Sequence, residues 1–199
     1  MIMPRSRAHQ IVGDSDHRQN SDFYVTPPGV TEALFEREKF DGWVWECACG
    51  NGSMSQVIER YNYCYSSDIR NKSEIYSKGF GNIDFLTADN YEIISNVDNI
   101  ITNPPYRHAL KFVEKAKSIA THKVAMLLKL VFLEGITRYD MFQDTAFPLM
   151  TVYVFSRRVT IRPPGEHSGN TGMIAFAWFV WNKRYNGLPM IEWISDKVD

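Results

Sequence analysis

The chain has too few cysteines for a disulfide framework. It carries three, an odd number, so Cys47, Cys49 and Cys64 are expected to be reduced thiols of a cytoplasmic protein. Long apolar runs are missing as well: a stretch such as Met173 to Trp181 stops far short of the ~20 residues that a membrane-spanning helix needs. No secretory signal is expected, because Arg5, Arg7, His9 and Asp14 interrupt any apolar opening. An excess of either charge is also lacking, with 22 Lys and Arg against 23 Asp and Glu, so no global field announces a nucleic-acid partner. There is no internal repeat and no low-complexity tract. What is present is a composition of 44% hydrophobic and 14% aromatic residues, which excludes a disordered or fibrous chain and suffices for a sizeable core.

At 199 residues one domain is expected. Residues 1–21 hold three arginines and two histidines without periodicity and read as a flexible N-terminal arm, leaving 22–199 as the single domain. A helix is expected from Pro27, with Val30, Ala33 and Leu34 on one face and Thr26 as its N-cap. Trp43 to Cys47 reads as a buried strand. It runs through Ala48-Cys-Gly-Asn-Gly52 into Ser53-Met-Ser-Gln56, whose S-x-x-Q spacing is that of a capping box. Strand, glycine loop and capped helix open a βαβ unit. Further strands are expected at Tyr63 to Ser67, Asn82 to Phe85, Val97 to Thr102 and Val124 to Leu130. Helices are expected from Ala109 to Ala120 and near Arg138 to Gln143. Thr151 to Thr160 and Met173 to Trp181 flank a Pro/Gly-rich loop and read as an antiparallel hairpin. The alternation predicts a mostly parallel seven-stranded sheet with helices on both faces and an antiparallel C-terminal edge.

In such sheets a ligand sits beyond the carboxyl ends of the strands. The first strand ends in Glu46-Cys-Ala-Cys-Gly-Asn-Gly52, where small residues allow close backbone approach and a helix N-terminus offers free N–H groups. An acid in front of the glycines suits an ammonium-bearing ligand better than a pyrophosphate; a tight turn with no ligand is the plain alternative. Asp68 closes the second strand about 20 residues on, where an acid accepts from ribose hydroxyls. Asp84 and Phe85 suit an adenine amino group and ring, or else a turn cap and a core aromatic. Asn103-Pro-Pro-Tyr106 is the sharpest motif. Its prolines stiffen a loop at the end of a buried strand. There the Asn103 side-chain oxygen and the Pro104 carbonyl can aim at one amino group, and Tyr106 offers an aromatic face.

These motifs, with Asp22-Phe-Tyr-Val-Thr-Pro-Pro28 ahead of them, resemble those of the S-adenosylmethionine-dependent DNA adenine-N6 methyltransferases. The likeness is greatest to the compact versions carried by phages and prophages, and it covers about residues 20–185. It implies a Rossmann-like methyltransferase fold and a place in DNA adenine methylation, with or without a restriction partner. Carried over, it implies that Thr26 contacts the methionine carboxylate. Glu46, Ala48 and Gly50 would surround the methionine part, with Cys49 and Gly52 in the same loop. Asp68 and Ile69 would take the ribose, and Asp84 and Phe85 the cofactor adenine. Asn103, Pro104, Pro105 and Tyr106 would form the catalytic corner. A second aromatic is implied on the last strand, with Trp181 the best match and Phe179 the fallback. Cys47 departs from the family, which often has proline there.

The reaction implied is methyl transfer to the N6 amine of an adenine flipped out of duplex DNA, without a metal. Arg107 and His108, next to the catalytic loop, are expected substrate contacts; Arg157, Arg158 and Arg162 are expected in a groove. Lys111, Lys115 and Lys117 read equally as a DNA-facing patch or a solvated helix face. Cys47 and Cys49 lack the partners of a zinc site. No membrane partner is expected. With no room for a separate recognition domain, sequence choice falls to loops or a homodimer partner, or is weak. The same chemistry on an RNA base or a protein glutamine, and a non-catalytic nucleic-acid-binding module, remain alternatives.

Overall fold

The structure, a computed structural model, describes residues 24–88, 97–161 and 174–196. The N-terminal arm, Arg162 and the loop 165–172 lie outside them. Helix α1 spans Pro28–Phe35 and buries Val30, Ala33 and Leu34. It begins one residue later than the spacing predicts. Pro27 precedes another proline and is held extended, at φ -58° and ψ 138°, so Pro28 becomes the first helical residue and Thr26 falls outside the capping position.

Strand β1, Val44–Glu46, is wholly buried and leads through the glycine loop to α2, Ser53–Ile58. Gly52, left-handed at φ 83°, takes the N-cap position, so Ser53 starts the helix and the expected capping box does not form. Asn51 caps the first turn instead: its Oδ1 accepts from the Ser53 N–H at 3.2 Å and from the Ser53 hydroxyl at 2.8 Å. After β2, Cys64–Ser66, the chain makes a single parallel bridge from Ser67 to Phe80. The strand expected over Asn82 to Phe85 is absent. Asn82 is left-handed at φ 58°, and the Asp84 carboxylate accepts from the Leu86 N–H at 3.0 Å, which turns the chain instead of extending it.

Then follow β3, Asn99–Thr102; α3, Ala109–Ile119; β4, Lys123–Lys129; and the short α4, Tyr139–Gln143. Strands β5, Leu149–Phe155, and β6, Phe176–Asn182, form the expected antiparallel pair. A strand not foreseen, β7 at Met190–Ile194, lies parallel to β5 on the outer edge. The count of seven thus holds with a different member. The order is β2-β1-β3-β4-β6-β5-β7, with only β6 antiparallel to its neighbours.

The sheet separates two cores. Along β4, Val124, Met126 and Leu128 face one core with Phe112, Val113 and Ala116 of α3; Ala125 and Leu127 face the other with Val30 and Leu34 of α1 and Met54 and Ile58 of α2. Trp178 pins α1 to the sheet by donating from Nε1 to the Val30 carbonyl at 2.8 Å. Among the described residues no helix is long and apolar enough to cross a membrane.

Candidate active site

The carboxyl ends of β1, β2, β3 and β4 meet at one edge of the sheet, and the cleft lies there. Its wide part, about 350 Å³, is lined by Cys47, Ala48, Asp68, Ile69, Asp84 and Phe85 on one side and by residues 103–108 on the other. A narrow recess lined by Thr26, Glu46, Cys49, Gly50 and Met54 continues from it. Tyr24, Ala48 and Asn103 border both parts.

Glu46 is 1% exposed. Its Oε1 accepts from the Thr102 hydroxyl at 2.7 Å and from the Ala48 N–H at 3.2 Å. Burial raises its pKa to about 7; those two hydrogen bonds oppose the shift, and the Asp68 charge adds to it. Burial also pushes the Cys47 and Cys49 thiols upward, which leaves them protonated and poor nucleophiles. The loop that carries Cys49 and Gly50 is held by hydrogen bonds to neighbouring segments. Cys49 N–H donates to the Ser67 carbonyl, Gly50 N–H to Asp68 Oδ2 and Tyr76 N–H to the Gly50 carbonyl, each at 2.9 Å. The Tyr76 ring fills the space under Gly52, where a Cβ would stand 2.3 Å from it. Tyr76 does not line the cleft but packs beneath its glycine loop, a contact that only the structure shows.

Asn103 follows β3 directly. Its Nδ2 donates to the Thr26 hydroxyl at 3.0 Å, while its buried Oδ1 has no hydrogen-bond partner among the described residues. Thr26 is itself 4% exposed, so it orients the Asn103 amide as well as lining the recess. The Pro105 carbonyl accepts from the His108 N–H at 2.8 Å, closing a turn that carries Tyr106. The Tyr106 ring lies 5.5 Å from Phe176 and 6.3 Å from Tyr24, with Lys129 Nζ 4.8 Å from its centre.

The site residues expected from sequence gather at this cleft, with exceptions, among them Gly52 and Arg158, which line neither part of it. Trp181 and Phe179 are fully buried in the core and line neither part of it. The reason is strand direction. Because β6 is antiparallel, its first residue, Phe176, lies opposite Lys129 at the cleft end, and Trp181 lies opposite Val124 at the far end. A base has no face of Trp181 to stack on, and Phe176 is the aromatic of that strand beside Tyr106. Phe85 is 2% exposed and packs edge-on against Trp45, so it forms floor, not open surface. Arg157 is tied to Asp196 at 2.7 Å, and Lys117 to Asp144 at 2.6 Å, so neither extends freely towards a groove; Arg107 and Arg158 are exposed.

No family model matches the sequence, and no curated protein does. Solved structures do match in fold. A candidate class I S-adenosylmethionine-dependent methyltransferase from Listeria monocytogenes superposes with a TM-score of 0.62 at 10% identity, over 92% of this chain and 70% of that one. The fold is that of the class I methyltransferases. A candidate RNA methyltransferase from Pyrococcus horikoshii gives 0.60 at 16% identity, covering 92% of this chain and 99% of its own. The modification subunit of a candidate type I restriction enzyme from Vibrio vulnificus gives 0.57 at 14% identity, with 96% of this chain and 49% of that one covered.

Proposed function

We propose that this protein is an S-adenosylmethionine-dependent methyltransferase that acts on the N6 amine of adenine in DNA. The observation that carries the reading is the buried Oδ1 of Asn103, an acceptor at the junction of recess and cleft with no hydrogen-bond partner among the described residues. A buried polar atom without a partner costs about 1–3 kcal/mol, and a substrate hydrogen supplies the missing bond. The chain's residues also fit the donor. The recess offers Glu46 to an ammonium group, and the wide cleft offers Asp68 and Ile69 near a ribose and Asp84 near an adenine edge.

The donor contributes an electrophilic methyl group on a sulfonium. Everything else falls to the chain. Thr26 fixes the Asn103 amide, so Oδ1 and the Pro104 carbonyl each take one hydrogen of the incoming amine. This turns its lone pair out of conjugation with the purine. Tyr106 supplies a stacking face, with Phe176 behind it. The amine becomes cationic as it is methylated and afterwards loses a proton to solvent, so no strong base is required beforehand. Duplex DNA reaches such a pocket only with its base extruded, at a cost of a few kcal/mol, to which stacking of about 1–3 kcal/mol per base is the offset. Similarity to the Vibrio modification subunit supports DNA as the acceptor, as do the motifs shared with DNA enzymes. Similarity to the Pyrococcus protein keeps RNA as the second reading.

The test is transfer from methyl-labelled donor into duplex DNA, followed by nucleoside analysis for N6-methyladenine. Label found only in RNA or protein rejects the acceptor. Asn103→Ala is expected to lower the transfer rate by about a hundredfold or more, the scale of a lost alignment, with donor affinity changed little.

A further inference from the structure

We infer that Arg70 is a latch on the donor site: its guanidinium holds the Asp68 acceptor positions that a ribose diol needs, and thereby sets donor affinity. The inference rests on the adenosyl-donor reading above.

A carboxylate offers about four lone-pair positions. All four at Asp68 are taken. Oδ2 accepts from the Gly50 N–H at 2.9 Å and from Arg70 Nη2 at 3.1 Å; Oδ1 accepts from the Arg70 N–H and from Arg70 Nε, both at 3.0 Å. The two backbone bonds cannot be given up cheaply. One secures the glycine loop, and the other belongs to a segment pinned on both sides. The Arg70 carbonyl accepts from the Asn82 N–H at 2.8 Å, and a Cβ on Gly81 would lie 2.8 Å from that same carbonyl. The guanidinium is different. It reaches Asp68 by side-chain rotation alone, and its side chain retains 18% exposure against 8% for Asp68. Asp68, Ile69 and Arg70 all line the wide cleft. A vicinal diol donates two hydrogen bonds, the number that departure of the guanidinium releases. Donor binding therefore trades a bidentate ion pair for two hydroxyl bonds, and product release runs the trade backwards.

The experiment measures binding of S-adenosylhomocysteine, and of its 2′,3′-dideoxy analogue, to the full chain by calorimetry, with dissociation rates by stopped flow. Arg70→Met keeps the aliphatic stem and removes the charge. It is expected to bind S-adenosylhomocysteine about threefold to tenfold tighter and to release it more slowly, the size of a modest ion pair converted to affinity. Affinity for the dideoxy analogue is expected to stay at the wild-type value, because that ligand never competes for Asp68. Arg70→Lys, a single-point donor, gives an intermediate value and serves if the methionine variant melts below the assay temperature. Unchanged or weaker S-adenosylhomocysteine binding by the variants overturns the latch, and so does an equal gain for the dideoxy analogue. If wild-type protein binds neither ligand at high micromolar concentration, the donor reading fails, and the latch with it.

Discussion

Buried at the base of the recess, Glu46 holds its proton up to about pH 7, whereas the unfolded chain releases it in the ordinary carboxyl range. Between those two values the folded protein binds more protons. The stability this group contributes is thus present at acid pH and lost as pH rises through about 7. An ammonium-bearing ligand reverses the preference by favouring the ionised form. Donor affinity is therefore expected to fall several-fold, approaching tenfold, between pH 7.5 and pH 6, with proton release on binding visible as a buffer-dependent heat. Glu46→Gln should flatten that profile as well as weaken binding; a variant that keeps the wild-type pH dependence would show that another group titrates. The chemistry at Asn103 belongs to this scale as well. Its motif was plain in the sequence, but the Thr26 hydrogen bond that fixes the amide's orientation joins residues 77 positions apart.

At the scale of the element, the glycine loop works because Gly52 adopts φ 83° with the Tyr76 ring beneath it. Gly52→Ala meets both obstacles. The left-handed conformation alone costs about 1–2 kcal/mol, and Tyr76 must move besides. A lower melting temperature and weaker donor binding are expected together, by thermal shift with and without ligand. Strand β6 offers a contrast between two tryptophans. Trp178 donates to the Val30 carbonyl, whereas the buried Nε1 of Trp181 has no partner among the described residues. Trp178→Phe should cost about 0.5–1.5 kcal/mol for that lost hydrogen bond, besides the volume of indole removed. Trp181→Phe removes an unpaired donor and should lie within about 1 kcal/mol of wild type, with transfer per folded molecule unchanged. Denaturant melts and initial rates separate the two. A large loss of transfer in Trp181→Phe would return that ring to the acceptor site.

Over the whole molecule, the near-balance of charge leaves any polyanion to be held by local cations. Arg107 is exposed at the cleft, whereas Arg157 is engaged with Asp196. Arg107→Ala is expected to reduce by about one unit the slope of log affinity for duplex DNA against log salt. Arg157→Ala should leave that slope nearly unchanged while loosening the end of the chain against β5. Equal slopes for wild type and Arg107→Ala, in titrations over a range of salt, would remove Arg107 from the DNA contacts.

The alternation of apolar runs, the glycine loop and the prolines after β3 were enough to determine an α/β sheet with a ligand edge. They did so because each acts through neighbours in sequence: periodicity, fixed φ and left-handed turns are local. Other features required the assembled sheet. The family resemblance implied an aromatic on the strand now seen as β6 but not which end of that strand lies near Tyr106; the antiparallel run of β6 puts Phe176 there and Trp181 at the far end. Strand β7, exposed and short of apolar alternation, exists because β5 offers it a parallel edge. Residues 82–85 form no strand because Asn82 is left-handed and the Asp84 carboxylate accepts from the Leu86 N–H at the start of a turn over residues 84–87. The Asp68–Arg70 pair would pass in sequence for an acid beside a base; only the Gly50 N–H, arriving from 18 residues away, shows that the carboxylate is full. Register, strand direction and saturation of buried acceptors depend on distant partners, and tertiary packing alone supplies those.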